Sequence, residues 1–346
     1  RLLDDFRKTP LHQAPGEKHH YANANYILLA LIIEMQSKSS YEDFLRLHFW
    51  EPLQMKETFY RKPGVGTRLA RAYSFNSMDG EWQDRGYTGQ HLPPPDLHYY
   101  SLGKGDLHSS LHDLFVWHRA LMDHKVLTAE SRQLLEEGYV YESLAERSKY
   151  AYGWAIIEHP KAGKIVTHNG SNGIFFADFI RFVDEDVVIV NLSNRMLHRA
   201  STQVAWTAAR SLIDSSFQAP PMPAPPEAII HQFMAHYPLS AKDSLTSYLA
   251  EAGYPLRNPA LLNRMGMSLI YHSELKQWAL PLLQLNVDLF PEDGNLWDSL
   301  GDAYFKQGQP KSAEGAYQKA LELAPDAQCH WCGNSRARLQ QIQSNN

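Results

Sequence analysis

Three short groups in the 346-residue chain carry side chains able to do chemistry. Tyr21-Ala22-Asn23 stands directly before the apolar run Tyr26–Ile33, and His168-Asn169-Gly170-Ser171 lies among β-branched and aromatic segments. A phenol ionises near pH 10, so Tyr21 can accept a proton only where cationic neighbours stabilise its phenolate. The Asn23 amide can orient a ligand or cap a helix. The His168 imidazole is mostly neutral at pH 7. Plainer roles compete with each of these: Tyr21 packing, Asn23 capping, and His168 as one strand-edge residue among 17 histidines. The third group is Cys329-His330-Trp331-Cys332. An isolated pair of this spacing can be redox-active, half of a zinc site completed by His330, a strained disulfide or two inert thiols. No second pair supplies four zinc ligands, so the inert reading is preferred, and cysteine usage says nothing of compartment.

The elements that must position these groups follow from the pattern. The eight-residue run Tyr26–Ile33 is far too short to cross a bilayer and is apolar on every side, which predicts a helix buried in a core. Asn23 and Asn25 are placed to cap it, leaving Tyr21 and Asn23 on a turn at the mouth of a cleft. Residues 41–47 read as an amphipathic helix stopped by Pro52. Residues 62–102, with Pro93-Pro94-Pro95 in their middle, read as one long irregular excursion, a kind of segment that is usually functional or mobile. Ser109-Ser110 are placed to cap a helix over 111–122. The period then changes: 150–158, 164–167, 174–182 and 187–192 read as four antiparallel strands. His-Asn-Gly opens a strand in this reading, Asp184-Glu185-Asp186 is a solvated hairpin tip, and a helix over 200–213 returns across the sheet.

Pro15-Gly16-Glu17, Tyr21-x-Asn23, Glu34, the stretch from Glu51-Pro52 to Thr58, Gly103-x-Gly105, Asp113-Leu114, Tyr152-Gly153-Trp154, His168-Asn169-Gly170 and Leu192-Ser193-Asn194 occur in that order. The ordered series resembles the serine β-lactamase-related family of class C β-lactamases, D-Ala-D-Ala peptidases, D-aminopeptidases and related esterases. It covers the first two-thirds of the chain. The resemblance implies an α+β, β-lactamase/transpeptidase-like domain over 1–214, an antiparallel sheet flanked by helices and lacking its N-terminal part. It also implies a serine hydrolase that cleaves an ester or amide through an acyl-enzyme. In that family Tyr-x-Asn lies between a Ser-x-x-Lys nucleophile motif and a Lys/His-x-Gly motif. Carried over, Tyr21 is the base or proton shuttle, Asn23 the orienting amide, and His168 and Gly170 the strand edge that lines the cleft. The N–H of Ser171 becomes an oxyanion donor.

Departures from the family pattern refine this. Asp106 stands where a glycine is usual, and Asp is among the less costly residues if the position needs positive φ. Asn169 replaces a threonine and His168 a lysine. Both changes weaken the binding of a substrate carboxylate and favour an esterase or peptidase-like hydrolase over a β-lactamase. Ser273-Glu274-Leu275-Lys276 is the only Ser-x-x-Lys present, and it falls after these motifs, so it reads as coincidence. The nucleophile is expected upstream of Arg1, and the 346 residues by themselves are expected to be inert. The family also implies an extracytoplasmic location. The alternative is a non-catalytic protein that binds a partner through a degenerate cleft or through its repeats.

A Pro-rich linker at 215–226 separates this domain from a helical region at 227–346. There Trp297, Leu300, Gly301, Tyr304, Ala313, Tyr317, Ala320 and Pro325 occupy the signature positions of a 34-residue tetratricopeptide repeat. Gly266, Ala279 and Pro291 mark a weaker copy before it. The net charge of −5 and pI near 6.4 provide no electrostatic footprint for nucleic acid. The implied partners are a small-molecule or peptide substrate and a protein at the repeats. No cofactor or metal is called for.

Overall fold

The computed structural model describes residues 8, 10, 13–60, 69–76, 81–87, 101–195, 198–220, 224–271, 275–325 and 329–344, without the side chains of 198–202. Pro93-Pro94-Pro95 and Ser273 lie outside the described residues. The chain divides into two compact units: 1–74 with 84–221, and 75–83 with 222–346.

In the first unit, α1 (Asn23–Ser37) starts at Ala22, whose extended backbone supplies no side-chain cap. Asn23 and Asn25 are therefore already helical, and neither is the N-cap residue. The helix ends at Lys38, in the left-handed region at φ 59°, with its N–H donating to Glu34 O. Ile27 and Ala30 are buried, but Leu29, Ile32 and Met35 are each more than half exposed. This overturns the expectation of burial on every side. An all-apolar helix is buried only where neighbours cover its whole circumference, and the described residues cover one face. Next, α2 (Tyr41–Leu45) is capped by Ser40 and continues as one π-helical turn, Arg46–Trp50, ahead of Pro52. Trp50, Met55 and Tyr60 bury themselves there, with the Glu42 carboxylate accepting from Tyr60 N at 3.0 Å.

The stretch read as irregular holds a two-stranded sheet, β1 (Arg71–Asn76) and β2 (Glu81–Tyr87). Its strands carry little apolar alternation, because only Ala72 and Gly86 are buried, so the period-2 signal is weak. Then α3 (Leu111–Met122) begins at Ser110, whose hydroxyl accepts from Asp113 N, and α4 (Ala129–Leu135) begins at Thr128 in the same manner.

The main sheet has six antiparallel strands in sequence order: β3 (Val140–Tyr141), β4 (Lys149–Ala151), β5 (Trp154–His159), β6 (Gly163–Ser171), β7 (Phe176–Phe182) and β8 (Val187–Ser193). The run expected as one strand over 150–158 is two, because Tyr152 and Gly153 both take positive φ (47° and 92°) and close a two-residue hairpin. Ile165, Ile180 and Phe182 share one face and pack on Ala205 and Ala209 of α5 (His198–Ile213). On the other face Arg181, fully buried, pairs with Glu136 at 2.8 Å and donates from Nε to His118 Nδ1. The 184–186 triplet is more than a solvated tip: Asp184 accepts from Lys164 N, and Asp186 pairs with Arg119 and His118.

The second unit is helical: α6 (Pro226–His236), α7 (Leu245–Glu251), α8 (Ala260–Leu269), α9 (Ala279–Leu289), α10 (Gly294–Lys306), α11 (Pro310–Glu322) and α12 (Cys332–Ser344). Its core joins Phe233, Leu245, Leu262, Trp278 and Leu282, and Ala313, Tyr317 and Ile342 close the last layer. Small residues set the helix approaches. A Cβ on Gly301 would stand 2.6 Å from the Tyr317 ring, and one on Gly266 would stand 2.5 Å from Leu283. Cys329 and Cys332 form a disulfide (Cα–Cα 5.2 Å), which corrects the expectation of inert thiols. The turn ahead of α12 brings the two sulfurs together, an arrangement that residue spacing alone leaves open. Among the described residues no helix is long and apolar enough to cross a membrane.

Candidate active site

Two glycines place the first turn of α1. Gly103 (φ 77°) lies so close that a Cβ would be 2.4 Å from Tyr26 O and 2.9 Å from Ala30 Cβ. Gly153 (φ 92°) sits under the same tyrosine, where a Cβ would stand 2.7 Å from its hydroxyl. Both positions combine a left-handed backbone with no room for a side chain. They clamp Tyr26 from two loops, and Tyr21 and Asn23 follow from that clamp. Tyr21 is 53 % exposed. Its ring lies 6.1 Å from the His168 ring at 29° and 6.2 Å from the Tyr150 ring, edge-on.

His168 comes late in β6 rather than opening a strand, which corrects the sequence reading. The pairing of β5 with β6 ends at Ala155–Thr167, while β6 pairs with β7 as far as Ser171–Phe176. From His168 to Ser171 the strand therefore keeps β7 on one side and has no β5 partner on the other. Such an edge can hold an extended substrate by main-chain hydrogen bonds. The Tyr150 hydroxyl lies 3.1 Å from His168 Nε2 and fixes the ring. Burial holds His168 below the ordinary imidazole value, and burial followed by the nearby Tyr26 pushes the Tyr150 phenol up. His168 is consequently neutral at pH 7 and supplies no cation to Tyr21.

Tyr21, Asn23, His168, Asn169, Gly170 and Ser171 all line one cavity of about 1000 Å³. Its far wall is tied down by Asp113, which accepts from Glu57 N and from Thr58 Oγ1, each at 2.8 Å. Asp106 borders the cavity at φ 58°, as its place in the Gly-x-Gly series suggested. Ser171 Oγ donates to Phe175 O and accepts from Gly173 N, which fixes the turn at the end of β6. Among the described residues no group of three or more His, Cys, Asp or Glu side chains could hold a metal.

Two cavity-side residues escaped the sequence reading. Tyr150 was absorbed into a supposedly continuous strand, and only the hairpin register carries it to His168. Asp178, opposite Asn169 in the β6–β7 register, is 1 % exposed, and burial pushes its carboxyl up to about 6. The readable signal was a charge inside Phe176-Ala177-Asp178-Phe179-Ile180, a strand otherwise apolar.

The chain is 26 % identical over 214 residues to penicillin-binding protein 4* of Bacillus subtilis, an alignment covering 61 % of this chain and 47 % of that protein. It thus spans about half the length of this curated relative. Among solved structures it is similar to an octameric penicillin-binding protein homologue from Pyrococcus abyssi (24 % identity, TM-score 0.49, 58 % of this chain and 44 % of that one). A penicillin-binding protein from Bacillus halodurans is similar at 22 % identity and a TM-score of 0.47, over 60 % of this chain and 63 % of that one. The tetratricopeptide-repeat model matches residues 294–327, the helical pair α10–α11. With the Beta-lactamase model matching residues 1–213, which include every residue around the Tyr21–His168 cavity, the chain belongs to the Beta-lactamase family.

Proposed function

We propose that this cavity is the proton-transfer and substrate-holding side of a serine acyl-transfer site acting on an ester or amide. The observation that supports it best is the convergence of Tyr21, Asn23 and the open His168–Ser171 edge on one cavity, although these residues are well over a hundred positions apart. Acyl transfer needs a nucleophile, a proton acceptor and donors for the developing oxyanion. In this reading Tyr21 accepts the nucleophile's proton, Asn23 orients the substrate, and the β6 edge with Ser171 N–H faces the reacting carbonyl. The nucleophile is a serine of a Ser-x-x-Lys preceding Tyr21. Since His168 is neutral at pH 7, the cation that stabilises the Tyr21 phenolate is the lysine of that motif. The repeat region adds packing to the second unit and offers a surface for a protein partner.

The test uses a form of the protein carrying a Ser-x-x-Lys upstream of Arg1. It should acylate with chromogenic esters, and Tyr21→Phe should slow acylation by about a hundredfold, the scale of a general base. Unchanged acylation in Tyr21→Phe would remove Tyr21 from the mechanism.

A further inference from the structure

The acyl-transfer reading makes no use of the Cys329–Cys332 disulfide, and the helix that follows it needs the bond little. The two cysteines are three positions apart, and closing so short a ring removes little freedom from the unfolded chain. The docking of α12 has other supports. Ile342 is buried with Ala313 and Tyr317, and the Asn334 amide donates to Asp298 at 3.0 Å. Ser335 Oγ donates to the same carboxylate, and Arg338 pairs with Asp302 at 3.6 Å.

The two cysteines stand in unlike surroundings. Cys329 is partly exposed in the turn before α12, whereas Cys332 is fully buried and is the first residue of the helix. A thiolate arriving from solvent therefore reaches Cys329. The thiolate it displaces forms on Cys332, at the positive end of the helix dipole. Burial of Cys332 opposes that stabilisation, but it also shields the sulfur, so Cys332 meets Cys329 in preference to thiols in solution. An accessible sulfur to attack and a supported leaving thiolate are what fast exchange requires. Trp331, between the cysteines, walls a cleft of about 570 Å³ together with Phe290, Pro291, Leu323 and Pro325. Its ring is seated where Gly294 leaves space, since a Cβ there would stand 3.2 Å from it. Glu292 and Asp293 also line the cleft and disfavour an anionic visitor.

We propose that Cys329–Cys332 is a thiol–disulfide exchange site whose electron donors are thiols carried on apolar, uncharged groups. The donor thiolate attacks Cys329 Sγ, a new S–S bond forms there, and the electron pair of the broken bond leaves on Cys332 Sγ. A second donor thiolate attacks the donor's own sulfur in this mixed disulfide and releases Cys329 as a thiolate. The protons of the two donor thiols end on the two cysteines. Two thiols are thereby oxidised to one disulfide, and the protein's disulfide is reduced to a dithiol. The proposal is independent of the acyl-transfer reading.

The oxidised 346-residue chain is treated at about pH 8, where donor thiols are partly ionised, with benzyl mercaptan and with mercaptoethanol. Loss of the disulfide is read by alkylation and mass, and each rate is divided by that of the same thiol on oxidised glutathione. Benzyl mercaptan should reduce the protein at least about tenfold faster than it reduces oxidised glutathione. Its rate ratio should exceed that of mercaptoethanol by about threefold or more, with the helical circular dichroism retained. A benzyl mercaptan rate no faster than on oxidised glutathione, equal ratios for the two thiols, or reduction only on unfolding would overturn the proposal. The order of attack is read from single variants. C332S, with Cys329 free, should form a mixed disulfide with dithiodipyridine at least about tenfold faster than C329S, in which the buried Cys332 is free. Equal or reversed reactivity in variants that melt cooperatively would overturn it too, and should either variant fail to fold, the rates of the unaltered chain decide.

Discussion

At the scale of single residues, the cavity combines groups whose protonation burial has displaced in opposite directions. His168 is held low by desolvation, so folding favours its neutral form. Its contribution to stability is complete above the free-imidazole range and is lost as pH falls below about 6.5. Its ring resonances should therefore titrate below that value. Tyr150→Phe, which removes the hydroxyl at Nε2, should shift this titration without unfolding the chain; an unshifted titration would mean that the Tyr150–His168 bond is absent in solution. Asp178 behaves oppositely. Its carboxyl is raised to about 6 from 3.8, burial dominating and the Asn169 side chain opposing. Folding here favours the protonated acid, so stability is lost as pH rises from about 4 to about 6. Asp178→Asn should raise stability near pH 7.5 by an amount of order 2 kcal/mol and change little near pH 3. Denaturation midpoints at the two pH values check this, and an equal effect at both would show that the gain is not electrostatic.

At the scale of elements, the site depends on close approaches that tolerate no extra atoms. Gly103→Ala would drive a Cβ against the Tyr26 carbonyl at a left-handed φ. It should cost about 2 kcal/mol or more, through strain and overpacking together. It should also displace the first turn of α1, which the loss of the Tyr21–His168 ring-current shifts would report. In the repeat, Gly301→Ala would press on the Tyr317 ring and should cost about 1–3 kcal/mol, read as a lower melting temperature of the helical unit. Beneath the sheet, the Arg181–Glu136 pair is sealed from solvent. Truncating one partner leaves the other charged and desolvated, so Glu136→Ala should destabilise by about 3–5 kcal/mol. Wild-type stability in that variant would show that water reaches Arg181.

At the scale of the whole molecule, the two units carry separate cores. The cluster of Phe233, Leu245, Leu262, Trp278 and Leu282 and the layer of Ala313, Tyr317 and Ile342 use only residues after the Pro-rich stretch. A chain beginning at residue 224 should accordingly melt cooperatively as a helical protein. A non-cooperative transition would mean that 75–83, which groups with this unit, is needed for its fold. The 346 residues alone should not label stoichiometrically with serine-directed acylating probes, since no Ser-x-x-Lys precedes Tyr21 among them. Stoichiometric labelling would place the nucleophile inside this chain.

The order of the catalytic-type motifs, the tetratricopeptide signature and the split between sheet and helices were legible in the residues themselves. Glycines at close approaches, aromatics at helical spacing and alternating apolar positions are demands that local backbone geometry writes along the chain. Tertiary structure decided the remainder. Tyr150 reaches His168 only because Tyr152-Gly153 turns the strand and sets the register. Asp178 is buried only because β7 lies between β6 and β8, with Asn169 and Asn191 as its register partners. Cys329 and Cys332 bond because the start of α12 brings them together, and α1 shows an apolar face because the described residues cover only its other side. Each of these depends on which distant residues become neighbours, and the spacing of residue types along the chain does not contain that information.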